Sequence, residues 1–213
     1  MVNIPISNKE EKAVNKKIGS RDLIRLTEPR LKPLPFSEWD KELQEIWNKG
    51  IKNPDKTAAR PVFNIMKTLA HHPKLMNRWR VFANHVLSKS SLPPRDREIL
   101  ILRIGWLCGS EYEWGQHVEI GKRIGLTNEE NLRIIEGPGA EGWDMFDSTL
   151  LRAVDELFYN SFISDATWNT LAEKYNTHQL MDVVFTIGQY NLVSWALNTL
   201  GVQRDEGIGG FPQ

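Results

Sequence analysis

Cysteine is almost missing from this sequence: Cys108 stands alone among 213 residues. A lone thiol excludes an intrachain disulfide and a CxxC redox pair, and it fits a reducing compartment. Long apolar runs are missing too. No stretch approaches the roughly 20 apolar residues a membrane-spanning helix needs, so no membrane partner is expected. The opening MVNIPISNKEEKAVNKK holds no apolar segment of the kind that marks a secretory signal, and a cytoplasmic location is the expectation. Neither sign of charge is in excess, with 27 acidic and 27 basic residues. That balance gives no electrostatic reason to expect nucleic acid as a partner. There is no GxGxxG, no Walker A loop and no GxSxG, so nucleotide, flavin and serine-hydrolase chemistry lack support. HExxH spacing is absent, and no third ligand joins Glu113 and His117. Neither a metal nor another cofactor is expected.

What the chain does have is helical periodicity. Residues 1–36 are polar and carry four of the eleven prolines, which predicts an extended or partly disordered N-terminal arm. From Ser37 the apolar spacing turns helical. SEWDKELQEIWNKG offers Ser37 as N-cap and Gly50 as a stop, with Trp39, Leu43, Ile46 and Trp47 on one face. The segment EILILRIGWLCG is apolar nearly all round, which predicts a buried central helix, although its composition alone also suits a strand. TNEENLRIIEG opens with a Thr127-x-x-Glu130 capping box. No stretch alternates convincingly as a strand. About nine helices joined by short loops over 37–207, then an irregular tail at 208–213, predict an all-α, single-domain helical bundle.

The densest chemistry lies in Pro94–Gly125, PRDREILILRIGWLCGSEYEWGQHVEIGKRIG. Its apolar helix breaks at Gly109-Ser110, and the restart carries Glu111, Tyr112, Glu113, Trp114 and His117. Glu113 and His117 are four residues apart, hence one turn apart on one face. A carboxylate so placed can orient an imidazole and raise its basicity, as proton transfer near neutral pH requires. If the two helices pack antiparallel about the break, Glu98 reaches the same place. Trp106, Tyr112 and Trp114 would wall such a pocket. Each residue also has a plainer reading. Ser110-x-x-Glu113 is itself a capping box, Glu98 suits a helix first turn, His117 suits a core position with one satisfied nitrogen, and Cys108 suits a buried apolar site.

The run REILILRIGWLCGSEYEWGQHVEIGKRIGLTNEE resembles the carboxymuconolactone decarboxylase family, which includes the AhpD-like alkylhydroperoxidases. The similarity spans about Phe36 to Gly207 and takes in PVFNIMKTLAHHPKLM and FTIGQYNLVSWALNTLGVQRDEG. In the peroxidase branch the motif is a glutamate, a CxxC twelve residues on, and a histidine four residues after the second cysteine. Those positions here are Glu98, Ser110, Glu113 and His117: the glutamate and histidine stand and both thiols are replaced. Dithiol peroxide reduction is therefore not expected. The decarboxylase branch carries E-x-x-x-H, which Glu113 and His117 match. The resemblance implies a cofactor-independent lyase or isomerase acting on a small organic acid or lactone. His117 would be proton shuttle, Glu113 its orienter or co-base, and Glu98 a second acid/base. Tyr112, Trp114, Ser110 and Trp106 would meet the substrate, with Asn191 and Trp195 of the last helix lining the pocket. It also implies a homo-oligomer, a trimer or hexamer. A non-catalytic oligomeric binding protein is the alternative, and a residual AhpD-like peroxidase the least favoured.

Overall fold

A computed structural model describes residues 13–18, 21–49 and 62–212. Nine α-helices dominate the described residues: α1 Lys41–Lys49, α2 Asn64–Leu69, α3 Pro73–Asn84, α4 Pro94–Leu107, α5 Glu111–Arg123, α6 Asn128–Glu136, α7 Met145–Asn160, α8 Asp165–Ala172 and α9 Thr177–Leu200. The fold is all-α in its body. One departure from expectation lies in the N-terminal arm, where β1 (Ala13–Ile18) and β2 (Arg21–Leu26) pair as an antiparallel ribbon, Ala13 opposite Leu26. AVNKKI and RDLIRL do not alternate apolar with polar, so the sequence pattern carried no strand signal. The first twelve residues of the expected arm lie outside those described.

The helix α4 is the axis of the molecule. Every residue from Glu98 to Gly105 is buried, and α5, α6, α7 and α9 all pack on it. Pro94 sets its first turn, where the missing amide hydrogen costs nothing. Several of its polar residues are tied to other elements. The Tyr175 hydroxyl donates to Asp96 at 2.5 Å, and Arg95 forks onto Asp147 while reaching Glu130. Arg103 pairs with Asp155 and donates to the carbonyls of Ile134 and Ile135, closing the last turn of α6. These ties fix the rotation of α4 and so the direction in which Glu98 points.

The break after α4 has the geometry expected of a glycine stop. Gly109 adopts φ +62°, the Ser110 amide donates to Gly105 O and the Gly109 amide to Trp106 O, both at 2.8 Å. This pair of bonds satisfies two orphan carbonyls of α4 and turns the chain back on itself, so α5 returns along α4. The capping box at Thr127 and Glu130 forms. Ser37 does not cap α1: Phe36–Glu38 is a separate 3-10 turn. The helix starts at Lys41 instead, with Asp40 Oδ1 accepting from the Glu42 and Leu43 amides. Trp39 decides this, because its indole N–H is bonded to Leu34 O and its ring is buried beside Leu43 in the small core under α1.

Candidate active site

Helices α4, α5 and α9 bring a buried polar cluster together. Glu98 from α4 and His117 from α5 meet directly, His117 Nδ1 lying 2.6 Å from Glu98 Oε2. The other Glu98 oxygen accepts from Arg97 Nε and Nη2 at 3.1 and 3.0 Å. Glu98 is fully buried and His117 nearly so. Burial by itself would raise the Glu98 carboxyl; the adjoining His117 and Arg97 outweigh it and hold the group below the ordinary carboxylate range. An ionised Glu98 accepts, so Nδ1 carries the hydrogen and Nε2 is left as the working nitrogen.

Glu113 sits one turn before His117 on α5, in an opposite electrostatic setting. Its side chain lies against α4 where Gly105 has no side chain: a Cβ built there would stand 3.0 Å from Glu113 Oε1. Burial drives its pKa well above the ordinary value, and the Ser194 hydroxyl offsets this only in part. Among the described residues neither Glu113 oxygen has a hydrogen-bond partner of good geometry, nor do the hydroxyls of Ser110 and Ser194. With no cation beside it, burial favours the neutral, protonated form of Glu113. The two glutamates are thus shifted in opposite directions from the ordinary carboxylate range within one helix interface.

Two expectations about this cluster are corrected. Glu113 does not cap α5: Ser110 is the N-cap residue but its side chain makes no cap bond, and Glu113 turns toward α4. Nor does Glu113 orient His117. Glu98 does, because antiparallel packing of α5 on α4 aims the imidazole across the interface, while the Glu113 side chain turns aside toward Gly105.

The other predicted residues are distributed around the cluster. Tyr112 donates to Asp205 Oδ2 at 2.6 Å and accepts from the Ile65 amide at 3.3 Å, so its hydroxyl fastens the C-terminal segment to α2 and α5. Trp114 is buried and packs with Trp106 and Phe211, ring centroids 4.7–5.8 Å apart. Asn191 Oδ1 accepts from the Cys108 thiol at 3.0 Å. Trp195 is 58% exposed, on the outer side of α9. Residues the sequence reading passed over are Arg97, Gly105, Tyr190 and Ser194. Arg97 adjoins Glu98 in sequence and was open to suspicion on that ground. Tyr190 stands edge-on to His117, with ring centroids 4.7 Å apart, and lay hidden in a helix with apolar residues on its outer as well as its inner side.

Two cavities open elsewhere. One, of about 250 Å³, is lined by Glu111, Tyr112, Asn198, Gln203 and Arg204 among others. The second, of about 130 Å³ and almost wholly apolar, lies between α2, α3 and α9, with Trp79, Leu192 and Leu200 in its walls. Among the described residues no helix is long and apolar enough to cross a membrane.

Residues 73–140, from α3 to the loop after α6, match the carboxymuconolactone decarboxylase family. Solved structures share the fold at low identity. An uncharacterized peroxidase-related protein with an alkylhydroperoxidase AhpD core, from Ralstonia eutropha JMP134, superposes with TM-score 0.71 at 15% identity, covering 87% of this chain and 98% of that one. A peroxidase-related protein from Silicibacter sp. TM1040 gives 0.66 at 16%, covering 86% and 92%. The debrominase Bmp8, in complex with 2,3,4-tribromopyrrole, gives 0.65 at 13%, covering 84% and 94%. No curated protein matches the chain. The chain thus shares the AhpD-like helical fold with these proteins, and its residues 73–140 are similar to the carboxymuconolactone decarboxylase family.

Proposed function

We propose that the chain is a cofactor-independent lyase or isomerase that moves protons on a small organic acid or lactone. What supports this most is the pair of glutamates in opposed settings around one histidine: Glu98 bonded to His117 and held toward its ionised form, Glu113 one turn away and driven by burial toward its neutral form. Environments that push two titratable groups apart are how one site carries both a base and an acid at neutral pH. In this reading His117 Nε2 takes a proton from a carbon beside the substrate carbonyl, and Glu98 stabilises the imidazolium that results. Where the reaction is a decarboxylation, the bond to the departing CO₂ supplies the electron pair of an enolate. Protonation of that carbon by His117 or Glu113 completes the step. The peroxidase alternative is disfavoured by chemistry, since Ser110 and Glu113 occupy the positions of a dithiol and neither can cycle redox states.

The test is conversion of a panel of lactones and of β-keto and unsaturated carboxylic acids by wild type, His117→Ala and Glu113→Gln. Loss of turnover in both variants supports the reading; variants equal to wild type sink it. A binding role has one observation in its favour, the apolar cavity of about 130 Å³ between α2, α3 and α9. Assembly as a trimer or hexamer in the cytoplasm belongs to the same proposal. Met181, Phe185, Leu192 and Trp195 leave an apolar stripe exposed along α9, which self-association would cover. Light scattering at a single-subunit mass would rule that assembly out.

A further inference from the structure

Glu98 does not by itself fix where His117 presents its working nitrogen. One hydrogen bond at Nδ1 constrains the imidazole at that nitrogen alone, and a proton carrier that tilts loses its alignment with the substrate carbon. Tyr190 supplies a second contact to the ring. Its ring meets the His117 ring at 86° with centroids 4.7 Å apart, and both side chains are buried. The contact belongs to a repeating arrangement. His117 and Glu113 are one turn apart on α5, Tyr190 and Ser194 one turn apart on α9, and the pairs face each other as two rungs between antiparallel helices. A perpendicular aromatic contact of this kind favours one ring orientation by several-fold over a rotated one.

We infer that Tyr190 is a positioning residue of the His117 centre, acting through its aromatic ring and not through its hydroxyl. This rests on the acid–base reading of the same site. The hydroxyl is unsuited to act as a base. Burial first, then the nearby Glu98 and Glu113 carboxyls, raise it well above the ordinary tyrosine range, against a smaller opposing effect of Arg97. It therefore stays protonated at neutral pH. The orientation of the imidazole therefore has two independent supports from two helices, a hydrogen bond from α4 and a ring from α9.

The experiment is ¹⁵N NMR of the His117 ring in wild type, Tyr190→Phe and Tyr190→Leu, with Tyr190→Met in place of the leucine variant if that one does not fold. Ring positioning predicts a single Nδ1–H tautomer in wild type that phenylalanine restores. Leucine or methionine should lose it to exchange broadening or a second tautomer. If phenylalanine perturbs the signal as much as leucine, the hydroxyl is the working group and the inference is overturned. If leucine leaves the signal unchanged, it is overturned as well. These readouts need no substrate, so failure to find turnover would count against the function and leave this result standing. With a substrate in hand, the leucine variant should lower kcat by roughly tenfold or more, as misaligned reacting groups do, and move KM much less.

Discussion

Replacing Glu113 with glutamine tests the neutral buried acid without needing a substrate. In the folded protein burial raises the Glu113 pKa well above its ordinary 4.5, whereas the unfolded chain titrates near that ordinary value. Above pH 4.5 the unfolded state has released a proton that the folded state still holds. Stability from this group is therefore complete at acid pH and is lost as pH rises toward the folded pKa. One proton of difference corresponds to about 1.4 kcal/mol per pH unit. Glutamine keeps the shape, has no proton to lose, and removes that slope, while Glu98 and every other carboxylate contribute equally to both proteins. Urea unfolding at pH 4.0, 5.5 and 6.5 reads the result. Above the ordinary value the variant should gain on wild type as pH rises, by up to about 1.4 kcal/mol per pH unit until the folded pKa is reached. At pH 4.0 and below, the gap should be constant. A gap that stays flat from 5.5 to 6.5, or a wild type that gains, would mean Glu113 is ionised in its pocket and the reasoning from burial is wrong.

Three further outcomes follow from the packing. Glu98→Ala leaves Arg97 and His117 buried without their acceptor, and loss of one partner from a buried pair costs about 3–5 kcal/mol. Because the folded Glu98 pKa is depressed, its stabilisation is present above the ordinary value and lost as pH falls through the folded one. The Glu98→Ala deficit, read by denaturant melts, should shrink as the medium is acidified. Gly105→Ala adds a methyl 3.0 Å from Glu113 Oε1. Gain of up to about 1 kcal/mol in helix propensity is outweighed by overpacking of about 1–3 kcal/mol, so Tm should fall. A rise in Tm would show that the Glu113 side chain moves aside freely. Phe211→Ala removes a buried ring from between Trp106 and Trp114 and should cost about 3 kcal/mol, with a change in tryptophan fluorescence. An unchanged midpoint would mean the C-terminal segment is not anchored there.

Much of this was legible in the residues, and the misses have physical causes. The all-round apolar run before Gly109 announced α4 as the core helix, and Gly109 announced the turn that folds α5 back. From those two facts the approach of Glu98 to His117 was open to inference. The division of labour between the glutamates was not. Spacing of four places Glu113 and His117 on one face, but which carboxylate meets the imidazole depends on the side-chain directions set by Gly105 and by the antiparallel return. Tyr190 carried no local signal, because α9 is apolar on its outer as well as its inner side and its register against α5 is a tertiary fact. Ser37 and Asp40 are both good caps three residues apart, and burial of Trp39 chose between them. The N-terminal ribbon lacked alternation and was invisible to periodicity.

Solvent deuterium wash-in tests the central claim most directly, namely that Glu98, His117 and Glu113 form a proton-transfer site. Incubating the panel of lactones and carboxylic acids in D₂O and following each carbon by NMR detects exchange even where no net product forms. Wild type should place deuterium at the carbon beside the carbonyl of at least one compound, and His117→Ala should slow this by about 10²–10⁴-fold. Wild type that exchanges nothing above the buffer rate, or a His117→Ala variant that exchanges as fast as wild type, would contradict the account.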